Sequence, residues 1–275
     1  MKRLALLVFQ LAILLVPALA LQPAQAQVQD VIRLSTTTST ENSGLLKALL
    51  PAFEASSGTK VEVIAVGTGK ALELAKNGDV DVTLVHARAL EDKFVAEGWG
   101  VDRRDVMYND FLVVGPPADP ARIKGSKDVI GAFRRIAAAD VKFISRGDNS
   151  DTDVMEKGYW QQAGARPQGA SYVAAGLGMG EVLNMAAEMR TYTLTDRATY
   201  SVYKARTGLA ILVEGDRRMV NPYGIIAVNP ARHAGVNYKG AQQLIAWITS
   251  PEGQRRIVGF RPNGEQLFFL PAPGK

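Results

Sequence analysis

From residue 31 onward, short β-branched apolar runs alternate with longer stretches whose apolar positions recur every three or four residues. The runs Val31–Leu34, Val61–Val66, Val80–Val85, Phe111–Val114, Val141–Ser145, Ile211–Val213 and Ile225–Val228 predict strands. The helical period predicts helices over Gly44–Ser57, Gly69–Asn77, Ala89–Glu97, Asp128–Ala138, Asp151–Ala163, Gly178–Glu188, Ala198–Lys204, Gly240–Thr249 and Pro251–Phe260. This alternation predicts α/β architecture with largely parallel sheets. Two strands share a frame: Tyr108-Asn109-Asp110-Phe111 opens a run that ends at Gly115-Pro116-Pro117, and Asn221-Pro222-Tyr223-Gly224 opens one that ends at Asn229-Pro230. Read as crossings, they divide the chain into one lobe of 28–112 plus 222–275 and a second lobe of 113–221. A cleft then lies at the hinge, where small ligands bind in such folds.

Composition narrows the setting. Lys2 and Arg3 precede an apolar stretch from Leu4 to Leu21, and Ala24-Gln25-Ala26 supplies a small-x-small cleavage pattern. Residues 1–26 therefore read as a cleaved export signal, with the mature chain starting at Gln27. A membrane-spanning helix is the rival, and Pro17 with the polar segment after Ala26 argues against it. The chain has no cysteine, which excludes disulfides, a thiol nucleophile and thiolate metal sites. An exported chain of this kind suits the periplasm. The net charge of +5 is mild and its Lys and Arg are dispersed, so nucleic acid is not an expected partner.

The chemistry concentrates where predicted strands meet predicted helices. Thr36-Thr37-Thr38-Ser39-Thr40 places five hydroxyls at the end of a strand, and a helix start there adds unpaired N–H groups that favour an anion. Val66-Gly67-Thr68-Gly69-Lys70 repeats the arrangement. It is not a P-loop, because position 64 is Ile64 rather than Gly. Ser145-Arg146-Gly147-Asp148-Asn149-Ser150-Asp151-Thr152 adds a permanent cation in Arg146, with Asp148 placed to hold it from behind and Ser145 and Thr152 offering hydroxyls. A calcium loop starting at Asp148 would need Gly at 153 and Glu at 159, where the chain has Asp153 and Tyr159. Gly176-Leu177-Gly178-Met179-Gly180 lacks the dinucleotide spacing, and Tyr192-Thr193-Leu194-Thr195-Asp196-Arg197 reads as a strand tip entering a capped helix.

These segments together resemble the periplasmic tungstate-binding proteins of Tup-type ABC transporters. The likeness is carried by RLSTTTSTENSGLLKALLPAFEASSG, VEVIAVGTGKALELAKNGDVDVTLVHA, GWGVDRRDVMYNDFLVVGP, SRGDNSDT, TYTLTDRATY, NPYGIIAVNP and AWITSPEGQRRI, which span nearly all of the mature chain. The resemblance implies a two-lobed type II periplasmic binding fold with two crossing strands and one tetrahedral oxyanion between the lobes. By position, Thr37, Thr38 and Ser39 match the family's hydroxyl run, Thr68 its second loop, Arg146 its anion-binding arginine, and Thr152 and Thr195 further hydroxyls. The implied ligand is tungstate or molybdate, with no cofactor and no directly coordinated metal. The implied partner is a membrane permease, and a monomer is expected. Where the family shows Ser-Gly-Thr followed by a basic residue, this chain has Ser150-Asp151-Thr152-Asp153. Two carboxylates near a dianion repel it unless they point away.

Two alternatives stay open. Another tetrahedral oxyanion, phosphate or sulfate, is accommodated by the same fold. An exported hydrolase would need a base, for which only His86 and His233 exist, and no G-x-S-x-G elbow is present. His86 follows a predicted strand near the expected cleft, and a core or surface histidine is the favoured reading of it. The expectation is a binding protein and no enzyme.

Overall fold

The computed structural model describes residues 30–271. The expected export signal, and the outermost residues of the first expected lobe, lie outside the described residues. Nine strands form: β1 (Val31–Thr37), β2 (Lys60–Val66), β3 (Val82–Val85), β4 (Gly100–Gly115), β5 (Phe143–Ser145), β6 (Tyr172–Ala174), β7 (Tyr192–Asp196), β8 (Ala210–Val213) and β9 (Val220–Val228). Between and after them run α1 (Thr38–Asn42), α2 (Leu45–Ser57), α3 (Thr68–Asn77), α4 (Arg88–Ala96), α5 (Val129–Ala138), α6 (Asp151–Ala163), α7 (Met179–Glu188), α8 (Arg197–Thr207), α9 (Tyr238–Ile248) and α10 (Pro251–Gly259). Each expected strand and helix has a counterpart, but β4 and β9 begin at Gly100 and Val220 rather than at the expected Phe111 and Ile225. Three pieces lacked a periodic signal: the short α1, the three-residue β6, and the first eleven positions of β4, which are polar or mixed.

The strands are ordered β2-β1-β3-β9-β4-β7-β5-β6, with β8 also pairing to β4. Pairing is parallel for β1 with β2 and β3, and for β5 with β6 and β7. All pairings of β4 and β9 are antiparallel, so the expected parallel character holds only in the outer parts of the sheet. Parallel neighbours need a crossover of a dozen or more residues, usually helical.

Period-two alternation assigns each face of the central strands to its own core. On β4, Phe111 and Val113 join Phe133, Phe143, Tyr159 and Trp160 on one face, while Leu112 and Val114 join Ile144, Val182 and Leu183 on the other. On β9, Ile225 and Ala227 pack with Leu34, Leu49 and Phe53, and Ile226 and Val228 with Ala71 and Phe94. Four apolar clusters result, two on β1–β3 and β9 and two on the far end of β4 and β5–β8.

Register then brings the chemically active segments together. Thr37 pairs with Val66 and Thr36 with Leu84, so the carboxyl ends of β1, β2 and β3 share one edge. Ile144 pairs with Thr193, which sets Ser145 and Arg146 beside the end of β7.

Asp216 anchors the link to β9 by accepting from Val129 N at 2.8 Å and from Arg218 N and Nε, both at 2.9 Å. The Arg218 guanidinium, helped by the two backbone N–H groups, holds the Asp216 carboxyl down at about 2 from its ordinary 3.8. A depressed folded-state value makes this contribution fully present above 3.8 and lost as pH falls through about 2. Asp216→Asn should therefore lower the unfolding midpoint at pH 7 and flatten its fall between pH 4 and pH 2, as read by thermal melts across that range.

Candidate functional site

Thr37 ends β1 and caps α1. Its β-region backbone lets Oγ1 accept from Thr40 N at 3.2 Å, the bond expected of an N-cap. The same Oγ1 lies 3.0 Å from Ser39 Oγ, 2.7 Å from Thr40 Oγ1 and 3.1 Å from His86 Nε2. Ser39 Oγ reaches that nitrogen at 3.2 Å. Thr37, Ser39, Thr40 and His86 are all buried, whereas Thr38 is half-buried at the first position of α1. A hydroxyl has one hydrogen and two lone pairs, so Thr37 Oγ1 has more polar neighbours than it can satisfy at once.

His86 follows the end of β3. Its ring packs 4.7 Å from the Tyr223 ring on β9, and its Nδ1 lies 3.3 Å from Asp151 Oδ2 in the first turn of α6. The favoured sequence reading, a core or surface histidine, is thus half right: the ring is buried, and both nitrogens are engaged with residues of the candidate site. Thr40, His86 and Asp151 take part in these contacts without being named as ligands above, although the sequence reading sets Thr40 in the hydroxyl run, His86 near the cleft and Asp151 beside Thr152. The available signal for His86 was its place just beyond β3, level with the threonine run.

Thr68 opens α3 after Gly67, buried, and its Oγ1 has no partner among the described residues. Arg146 follows β5 and is 5 % exposed. Its Nη2 donates to Asp148 Oδ2 at 2.5 Å, which is the bracing expected from the sequence, while its Nε has no partner among the described residues. Gly147 between them has φ 62°, and a Cβ there would meet that of Ala174 at 2.9 Å, so the turn requires glycine.

The carboxylates expected to trouble an anion are each occupied. Asp153 is fully buried and accepts from Ser145 Oγ at 3.2 Å, from Gly147 N at 3.2 Å and from Asn149 N at 3.0 Å, with Lys157 Nζ at 2.6 Å. Asp148 accepts from Ser150 N as well as from Arg146. Asp151 faces His86. Two expected donors are turned elsewhere: Ser145 Oγ donates to Asp153, and Thr195 Oγ1 donates to the Asp196 carbonyl at 3.1 Å. Thr152 is buried in the first turn of α6.

The two groups of strand ends meet in space. The His86–Asp151 contact joins the β3 end to α6, and α1 packs against α7 and α8. The arrangement offers buried hydroxyls, a braced guanidinium and the N-termini of α3 and α6, a set that suits a small, highly charged acceptor. Among the described residues, no group of His, Asp and Glu is placed to hold a metal ion.

The family described as a PBP superfamily domain matches residues 22–252. The tungstate-binding protein TupA of Peptoclostridium acidaminophilum is 46 % identical over 270 residues, covering 95 % of this chain and 94 % of that protein. Among solved structures, that of the tungstate ABC transporter from Geobacter sulfurreducens is similar at TM-score 0.79 and 54 % identity, covering 84 % of this chain and 98 % of that one. TupA from Desulfovibrio alaskensis G20 is similar at TM-score 0.78 and 45 % identity, covering 88 % and 99 %.

A buried hydroxyl without a partner costs roughly 1–3 kcal/mol. Thr68→Val keeps the shape and removes that hydroxyl, so its unfolding midpoint in urea without ligand should equal or exceed that of the parent chain. Thr37→Val removes a helix cap and should cost about 1 kcal/mol. The same pair of urea titrations checks both, and the reverse order would show that Thr68 has a structural partner.

Proposed function

Since the chain belongs to the PBP superfamily, and within it to the family of the tungstate-binding proteins of ABC transporters, we propose that it captures tungstate, with molybdate as a second ligand, and delivers it to a membrane permease. The fold is the type II periplasmic binding fold. In this reading residues 28–112 plus 222–275 form one lobe and 113–221 the other, a division supported by the separation of the apolar clusters on either side of the β4 crossing. The anion sits between the lobes, held by Thr37, Thr38, Ser39, Thr68, Arg146 and Thr152, with Ser145 and Thr195 lining the strand ends beneath. A cleaved signal at 1–26 places the protein in the periplasm, where it works as a monomer. Among the described residues no helix is long and apolar enough to cross a membrane.

The observation that carries the reading is the pair of buried donors, Arg146 Nε and Thr68 Oγ1, that have no partner among the described residues. Tungstate and molybdate are fully ionised dianions at neutral pH, so they accept hydrogen bonds and donate none. Hydrogen phosphate brings a proton that needs an acceptor. Asp148, Asp151 and Asp153 are the nearby carboxylates, and each is already engaged. A protonated anion would have to give its hydrogen to an acceptor already engaged, such as a hydroxyl or His86 Nε2, and breaking that bond is the defect that discriminates. Sulfate is fully ionised as well, and cavity size is what separates it from the larger metalates.

Ser39, His86 and Asp151 also favour a second reading, because their order and spacing resemble an acyl-transfer triad. Against it, Thr37 shares the same histidine nitrogen, and Ser39 sits in a helix turn rather than at a strained elbow. Chromogenic esters should show no turnover, and turnover abolished by His86→Ala would establish a hydrolase.

Charge-assisted hydrogen bonds contribute about 1.5–3 kcal/mol each. Arg146→Ala should therefore weaken tungstate binding by at least about tenfold in a calorimetric titration. In the same experiment on the unmodified protein, tungstate and molybdate should bind far more tightly than phosphate or sulfate. Equal affinity for phosphate would refute the selectivity argument.

A further inference from the structure

His86 stands between an acceptor and a set of hydroxyls. On one side Asp151 Oδ2 lies 3.3 Å from Nδ1, and on the other Thr37 Oγ1 and Ser39 Oγ lie 3.1 and 3.2 Å from Nε2. An ionised carboxylate only accepts, so the nitrogen facing it carries the hydrogen. A neutral imidazole then has a bare Nε2, which must accept a hydrogen from Thr37 or Ser39. That hydroxyl hydrogen points at the ring and away from an anion. When the ring holds a second proton, Nε2 becomes a donor toward Thr37 Oγ1 or Ser39 Oγ, and the hydroxyl hydrogen is free to turn to an anionic acceptor.

Resting on the oxyanion reading of this cluster, we infer that His86, aligned by Asp151, makes anion capture proton-linked: binding a dianion draws one proton from solvent onto the His86 ring and reverses its hydrogen bond to the hydroxyls. No covalent bond changes. Asp151 thereby becomes a positioning residue.

The other groups around the ring permit this. From α4, Glu91 is buried and close enough to sense a charge on His86, while Arg103 Nη2 neutralises it at 2.7 Å. From β9, Tyr223 presents its ring at 4.7 Å, and burial, with the Asp196 and Asp151 charges, keeps its phenol protonated. From β1 and α1 come only hydroxyls. At the start of α4, Arg88 faces solvent and pairs with Asp92 and Asp105. An arriving dianion adds negative charge on the Nε2 side of the ring, opposite Asp151.

The test is calorimetry with micromolar sodium tungstate, dilute enough to stay monomeric, in buffers of different ionisation heat between pH 6.5 and 9. The wild type should take up a proton on binding, and its affinity should rise as pH falls, by up to about tenfold per pH unit. His86→Gln should bind without proton uptake. Asp151→Asn should also lose the uptake and bind at pH 8.5 at least as tightly as wild type, because an amide can donate to Nδ1 and leave the hydrogen on Nε2. A carboxylate that acted only by charge would raise affinity on removal and leave the proton count unchanged. Tungstate binding with no proton uptake and a flat pH profile overturns the linkage and leaves the function standing, as does wild-type uptake in His86→Gln or Asp151→Asn. Absence of tungstate binding by the wild type at every pH overturns both.

Discussion

Buried hydrogen-bond donors must find acceptors, and two of those left without one among the described residues, Thr68 Oγ1 and Arg146 Nε, lie where strand ends meet. Thr37, Ser39, Thr40, Thr68 and Arg146 are all withdrawn from solvent, so bulk water does little to meet their need. Within the fold, hydroxyls partly satisfy one another, and Asp148 takes one arm of the guanidinium. Arg146 Nε and Thr68 Oγ1 are left over. A ligand that brings several acceptors and no donor relieves that deficit. On the proposed function, the same shortage that would attract an anion would also favour one that brings no proton.

Placing those donors together requires residues from both parts of the chain, and β4 supplies the continuity. It is hydrogen-bonded to β9 along its first part and to β7 and β8 at its end. Asn109 and Asn221 face each other in register on β4 and β9, fully buried, with their side chains 2.7 Å apart. Two amides at this point oppose a slip of register, since any shift would part them inside the core. Arg197 at the start of α8 adds a second clamp, with Nε and Nη2 both 2.7 Å from Asp110 and Nη2 2.6 Å from Glu214. Burying this arginine among carboxylates fixes the angle at which α8 leaves β7.

Acidic residues are numerous around the donor cluster, yet each has a use that removes it from competition. Asp153 gathers Ser145 and two loop N–H groups and is paired with Lys157. Asp148 braces Arg146. Asp151 engages His86. The local charge is thereby balanced at short range.

How much was legible in advance follows from where each residue's signal lies. The continuous apolar runs Phe111–Val114 and Ile225–Val228 marked the central strands, because burial on both faces needs apolar side chains at consecutive positions. The hydroxyl run, Arg146 and the bracing role of Asp148 were readable from residue chemistry at junctions. The polar first part of β4 was not, since strand pairing through the backbone needs no apolar side chain. The mixed sheet and the engagement of Ser145 and Thr195 with neighbours also escaped, because local periodicity carries neither strand direction nor side-chain partners. By itself, then, the amino-acid order determined the elements, their buried faces and the stock of anion-seeking groups. Tertiary structure alone decided that His86 meets Asp151 across sixty-five positions of chain, that Asp153 turns inward, and that Thr68 Oγ1 and Arg146 Nε lack partners among the described residues. These are matters of which distant groups come within hydrogen-bond reach, and only the packed sheet sets that distance.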